Sequence, residues 1–302
     1  MPILALAARH AKLCLVAGLL AGLTLPGLAA VLKPWLPHLV ALLLFLSAAR
    51  IGSGRALGSL IEARTTLAVV AAYQIALPLI ALAVVLLTGL ATVTMALTLV
   101  LLLSAPAVTG SPNFTALMGH DPAPPMRVLI LGTALFPLTV LPVLWALPQL
   151  GQATAVLAAA LRLIAVIGAA VALGFVLNRI IRPEVHVHRL RALDGASAIT
   201  LGVVVVGLMA ALGPALRTEP LTVALWLAFS VAVNFGLQLA AWRVTGIAGY
   251  AIQAGNRNIA LFLVALPPEV TDPILIFIGC YQIPMYLTPM VMARLYGPSR
   301  SP

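Results

Sequence analysis

Apolar runs long enough to cross a bilayer follow one another along almost the whole of this sequence, separated by short stretches of charge, proline and glycine. A helix needs roughly 20 consecutive apolar residues to span the hydrocarbon core. The runs are unbroken rather than alternating at every second residue, so helices are expected and not a barrel. Grouping the runs between their punctuation predicts about ten transmembrane helices, near 11–31, 37–52, 65–88, 92–118, 125–148, 153–178, 193–213, 220–242, 246–267 and 272–295. Only 8% of the 302 residues are charged, against roughly a quarter in a soluble domain, and mean hydropathy is +1.15; no room remains for a separate soluble domain.

The formal net charge of +10 would suggest nucleic acid as a partner in a soluble protein. Here the basic residues are scattered singly between apolar runs and form no phosphate-tracking face, so no nucleic acid is expected and the lipid bilayer is the partner. On the ten-helix assignment Arg9, Lys12, Arg50, Arg55, Arg64, Arg127, Arg179, Arg182, Arg189, Arg191, Arg243, Arg294 and Arg300 fall on one side, 13 against the 2 on the other, Lys33 and Arg217. The positive-inside rule then predicts both termini in the cytoplasm of a multi-pass protein, with a bacterial inner (cell) membrane as the expected location. Arg9 and Lys12 precede an apolar stretch ending Pro26-Gly27-Leu28-Ala29-Ala30, which resembles a signal peptide; a retained first helix is expected, because its removal would leave a repeat incomplete. Cys14 and Cys280 lie far apart inside apolar runs and read as small packing residues.

Two halves show self-similarity. Gly110-Ser111-Pro112-Asn113 recurs as Gly255-Asn256-Arg257-Asn258, both G-x-x-N, and Phe136-Pro137 with Pro142 recurs as Ile283-Pro284 with Pro289. The offsets are 145 and 147 residues (255 less 110, 284 less 137). Residues 1–150 and 151–302 would each hold five helices, an odd number, so the second repeat should be inverted relative to the first.

Two segments could carry chemistry. The fourth predicted helix contains Ser104-Ala105-Pro106-Ala107-Val108-Thr109-Gly110-Ser111-Pro112-Asn113-Phe114-Thr115, in which two prolines remove backbone donors and favour an unwound segment lining a cavity. A kinked helix patched by Ser and Thr hydroxyls is the plainer alternative. The ninth contains Gln253, Asn256, Arg257 and Asn258 within six positions. An arginine at mid-membrane costs several kcal/mol, about 2.5 or more, unless paired or hydrated. It therefore marks either a functional site or a structural tie to the carbonyls of the fourth helix. Arg162 either faces a crevice, pairs with Asp194 or snorkels. Gln74, Asn234, Gln238 and Gln282 are further mid-span polar groups that interhelical hydrogen bonds would explain equally well. His186 and His188, with Glu184 and the arginines around them, read as a linker between halves rather than a metal site. No nucleophile elbow, Walker loop, HExxH or CxxC is present, and no enzyme is expected.

These segments resemble the bile acid:sodium symporter superfamily, which includes arsenite-efflux and keto-acid or pantoate carriers. Ala105-Pro106-Ala107-Val108-Thr109-Gly110-Ser111-Pro112 is similar to that family's A-P-G-G-T-A-S-N segment, and Gln253-Ala254-Gly255-Asn256-Arg257-Asn258 to its E-V-G-M-Q-N segment. The resemblance implies an all-α membrane fold with broken, crossing helices 4 and 9. Helices 1, 2, 6 and 7 would form a panel, helices 3–5 and 8–10 a core, and substrate would lie in the crevice between them. It also implies two sodium ions behind the crossing, but their ion-site positions are Gln253, Arg257, Ser111, Pro112 and, in helix 3, Gln74 or Tyr73. Gln253 replaces the family's glutamate, and a guanidinium about 4 Å from a sodium ion would repel it by about 4 kcal/mol at an effective dielectric of 20. The expectation is a secondary transporter of a small organic anion by alternating access, without a cofactor and without sodium coupling. Its candidate substrate-binding residues are Thr109, Gly110, Ser111, Asn113, Asn256, Arg257, Asn258 and Arg162. A passive facilitator or channel of the same fold, or a non-transporting membrane sensor, is the alternative.

Overall fold

A computed structural model describes residues 2–58, 63–146, 153–183 and 185–297, without the side chains of residues 2, 12, 54–58 and 63. Glu184, Arg300, the end of the helix expected over 125–148 and the side chains of Lys12 and Arg55 thus lie outside the described residues. In chain order the first α-helices are α1 (Pro2–Arg9), α2 (Ala11–Thr24), α3 (Pro26–Leu32), α4 (Leu36–Gly58), α5 (Ala63–Ala71), α6 (Leu77–Leu87), α7 (Thr94–Ser104), α8 (Ser111–Leu117), α9 (Ala123–Thr139) and α10 (Leu141–Trp145). Then come α11 (Ala153–Ile181), α12 (Val187–Thr218), α13 (Pro220–Thr245), α14 (Ala248–Gly255), α15 (Phe262–Ala265), α16 (Pro268–Thr271), α17 (Leu275–Val291) and α18 (Ala293–Tyr296). Among the described residues no strand occurs, only an isolated antiparallel bridge between Ala107 and Arg257.

Among the described residues, seven helices are long and apolar enough to cross a bilayer: Pro26–Ser53, Arg64–Leu87, Ala123–Trp145, Ala153–Ile181, Val187–Thr218, Pro220–Thr245 and Pro268–Val291. The pair Ile3–Arg9 and Leu13–Thr24, bent by 92°, makes an eighth if counted as one. The chain is an all-helical, multi-pass integral membrane protein.

Proline explains where helices depart from the predicted boundaries. The helix expected over 11–31 stops at Thr24, because Leu25 precedes Pro26 and is held at φ −115°, outside the helical region. From Pro26 the chain continues through a 3₁₀ turn, Lys33–Trp35, into α4, so the expected gap before residue 37 is only a tightened turn. Pro78 cannot donate to the carbonyl of Gln74, and the helix widens into a π-turn over Ala72–Ala76. Within α4, Gly52 takes φ +76°, and the side chain of Asn178 donates to the carbonyl of Ala49 at 2.8 Å across that kink.

Two groups of helices pack closely. Helices α1–α4 pack with α11 and α12, and α5–α10 pack with α13–α18; contacts of α12 with α17 and of α4 with α15 join the groups. The first group owes its closeness to small residues: a Cβ at Gly18 on α2 would stand 2.4 Å from the carbonyl oxygen of Gly202 on α12. Arg50 and Asp194, 2.5 Å apart, tie α4 to α12 at one end of this group.

Candidate functional site

The first helix break begins where Ala105 precedes Pro106 and adopts ψ 147°, ending α7. Pro112 sits in the first turn of α8, where its missing N–H is harmless. Hydroxyls on either side of the break turn back to nearby carbonyls. Ser104 Oγ donates to the carbonyl of Leu101 at 2.8 Å, and Ser111 Oγ to that of Val108 at 2.8 Å.

No proline causes the second break. Helix α14 ends at Gly255; the N–H of Asn256 still donates to the carbonyl of Ile252 at 2.9 Å, and side chains close the rest of the turn. Asn256 Nδ2 donates to the carbonyl of Ile252 at 2.8 Å, and Arg257 Nε to that of Ala254 at 2.9 Å. The carbonyl of Gly255 accepts from Asn234 Nδ2 at 2.5 Å and from the hydroxyl of Tyr281. Gly255 must lack a side chain, since a Cβ there would stand 2.2 Å from the carbonyl oxygen of Asn234.

The two breaks meet as antiparallel extended chains. Val108 N–H donates to the carbonyl of Asn256 at 2.9 Å, and Asn258 N–H to that of Pro106 at 2.7 Å, with Ala107 opposite Arg257. This register differs from the G-x-x-N alignment. Gly110 caps the start of α8, after its break, whereas Gly255 ends α14, before its own. The half-helix start in the second break is therefore at Ile259.

Arg257 is 2% exposed and ties three elements at this meeting point. Its Nη1 donates to the carbonyl of Ala105 at 3.1 Å and to that of Tyr73 in the π-turn at 3.4 Å. The guanidinium carbon lies 4.9 Å from the centre of the Tyr73 ring, a cation–π contact. Among the described residues its Nη2 has no partner, nor does Oε1 of the fully buried Gln253, whose Nε2 donates to the carbonyl of Pro125 at 2.6 Å. Carbonyl dipoles and a ring face thus surround the charge.

A second polar layer joins α13, α14 and α17. Gln238 Nε2 donates to Asn234 Oδ1 at 2.7 Å and to Thr288 Oγ1 at 3.0 Å, and Thr288 Oγ1 donates to Asn256 Oδ1 at 3.2 Å. The hydroxyl of Tyr296 donates to Gln238 Oε1 at 2.9 Å. Such a satisfied network fixes one geometry in a low-dielectric interior.

Against the paired breaks lies a cavity of about 40 Å³, bounded by both helix groups. Val40, Leu43 and Leu44 of α4 and Leu201, Val204 and Leu208 of α12 line it from one side. Val108, Thr109, Arg257, Asn258, Ile259, Ala260, Gln282 and Met285 line it from the other. Nothing from α5, the π-turn or α6 reaches it, while the Arg257 guanidinium bonds to Tyr73; the charge is therefore anchored on the far side of the pairing. The main-chain N–H groups of Thr109, Ile259 and Ala260 have no acceptor among the described residues.

Of the residues singled out from sequence, Thr109, Arg257 and Asn258 share the cavity, and Gly110, Ser111, Pro112 and Asn256 frame the pairing. Gln253 packs against the start of α9, and Gln74 accepts from Thr139 Oγ1 at 2.9 Å, leaving Tyr73 as the neighbour of Arg257. Asn113 is exposed on α8, and Arg162 is exposed on α11, away from the cavity; Asp194, a suggested partner of Arg162, is held by Arg50. Tyr281 and Thr288 were not singled out, although Tyr281, Met285 and Thr288 recur at helical spacing on one buried face of α17.

The structure thus defines a polytopic membrane protein with a polar centre built from two broken helices. No family model matches the chain, and no curated protein matches it either.

Proposed function

We propose that this protein is a secondary transporter of a small organic anion, working by alternating access in the fold of the bile acid:sodium symporter superfamily, with Arg257 in place of the coupling cations. The observation that carries this reading is the meeting of two helix breaks beside a cavity walled by both helix groups. Irregular backbone at membrane depth is tolerated where it lines such a cavity. Counting α7 with α8 and α14 with α15 as one broken crossing each raises the eight spans to ten, which fits two inverted repeats of five. Helices α1–α4, α11 and α12 then serve as the panel and the rest as the core.

The free N–H groups of Thr109, Ile259 and Ala260 offer an anion partial positive charge, reinforced by Arg257 behind them. At about 40 Å³ the cavity is far smaller than the roughly 300–1,000 Å³ of a ligand pocket, so an organic substrate enters only when the groups part. Against sodium stands the chemistry of the donor set: the carbonyls of Ala105, Tyr73 and Ala254 are already taken by the guanidinium, and Gln253 contributes no negative charge. The same facts favour a passive facilitator as the second reading, and flux that never exceeds the electrochemical gradient would select it. The basic ends of the helices orient both termini to the cytoplasm of a bacterial inner membrane.

The test is uptake of labelled pyruvate, pantoate and taurocholate into proteoliposomes, with and without an inward sodium gradient. The native protein should show sodium-independent flux of one of them, and Arg257→Gln with Gln253→Glu should introduce sodium dependence. Sodium-driven flux in the native protein sinks the role given to Arg257, and binding without flux points to a sensor.

A further inference from the structure

Two ion pairs differ in what they join. Arg50 and Asp194 lie within one helix group. Lys33 Nζ and Asp272 Oδ2, 3.0 Å apart and 239 residues apart in sequence, join one group to the other. Because α4 and α12 run antiparallel from the Arg50–Asp194 contact, Lys33 and Asp272 lie at the opposite end of the molecule. Lys33 opens the 3₁₀ turn that leads into α4, which carries Val40, Leu43 and Leu44 of one cavity wall. Asp272 opens the turn leading into α17, which carries Gln282 and Met285 of the other. Beneath the pair, α12 seals against α17: a Cβ at Gly279 would stand 3.2 Å from Met209 Cε and 3.3 Å from Leu212 Cβ. The cavity begins within a turn of that seal, at Leu208 and Gln282.

From this end inward, then, the order is ion pair, apolar seal, cavity. We propose that the Lys33–Asp272 pair is a latch that holds this mouth closed, and that breaking it admits solvent to the cavity from that side. The pair joins the leading ends of two helices on opposite walls, so its separation must accompany any parting of the walls there. Both partners are partly exposed, 39% for Lys33 and 47% for Asp272, which makes the pair weak enough to open on every cycle. An exposed pair of this kind biases a two-state equilibrium by about two- to fivefold.

The inference rests on the transport reading above, and its test is scored without flux. In a Cys14→Ser, Cys280→Ser background, Leu208→Cys places a reporter thiol in the cavity wall, and a membrane-impermeant maleimide is added to each side of oriented proteoliposomes in turn. Lys33→Ala and Asp272→Ala should each raise labelling about two- to fivefold from the Lys33 side only. The exchange Lys33→Asp with Asp272→Lys should restore the slow rate, and Arg50→Ala, which breaks the pair within one group, should leave it unchanged. Should the exchange not fold, ionic strength supplies the same contrast on folded protein. At about 1 M salt, where the screening length is about 3 Å, labelling of the otherwise native protein should rise as in Lys33→Ala, while Lys33→Ala itself should not respond. Unchanged labelling in both single variants, or an equal rise from both sides, overturns the latch. A labelling shift in a protein without flux keeps the latch and removes the transporter, and flux with unresponsive labelling does the reverse.

Discussion

The two helix breaks bring similar extended backbone to one place with opposite chemistry. The first, around Pro106, is made by proline and contributes mainly acceptors: the carbonyls of Ala105 and Pro106 each receive a donor from across the pairing. The second contains no proline and is made by side chains, with Asn256 and Arg257 closing the turn that Gly255 leaves open. A proline break is local and survives in isolation. A side-chain break exists only while its partners are in place, so the second half of the centre depends on the first.

That asymmetry can be broken by mutation. The largest effect is expected for Arg257→Met, which leaves the buried carbonyls of Ala105, Tyr73 and Ala254 without this donor and should lower stability in detergent by about 3–5 kcal/mol, read as thermal melting. Retention of the native melting temperature would show that water replaces the guanidinium. Next is Gly255→Ala, whose Cβ collides with the backbone of Asn234 and should cost about 2–3 kcal/mol. The same change at Gly110 meets only the Phe114 ring, no closer than 3.5 Å, and should melt as native; equal losses at the two glycines would remove the distinction between the breaks. Smallest is Tyr281→Phe, which deletes a hydroxyl that donates to Gly255 and accepts from the N–H of Arg257. It should cost about 1–2 kcal/mol, and a double-mutant cycle with Asn234→Ala should reveal coupling through the shared carbonyl.

Much of the centre was legible in the sequence, for physical reasons. Pro106 interrupts the fourth predicted helix, and an arginine among apolar residues demands partners, so the first break and the need for partners at Arg257 could be read by inspection, whereas a break in the ninth predicted helix came only from the resemblance. The pairing register could not. G-x-x-N places Gly110 opposite Gly255, but one glycine starts a helix and the other stops one, and short motifs carry no information on which side of a break they fall. Arg162 looked like a crevice residue because its depth along α11 was readable and its direction was not: the apolar residues around it are exposed as often as buried. In lipid, apolar side chains face outward as readily as inward, so the periodicity that orients a soluble helix is weak here. Tyr281 and Thr288 escaped notice because their partners, Gly255 and Asn256, lie in another helix and share no local pattern with them.

The guanidinium of Arg257 has one more consequence, which follows from mass action. A cation taken from solution stabilises its site by an amount that grows with the logarithm of its concentration. One attached to the chain is present once per molecule, whatever the salt on either side. Cohesion of the paired breaks should therefore be as strong in potassium as in sodium, and as strong in dilute buffer as in brine, so that the centre has no titration curve for a dissolved cation.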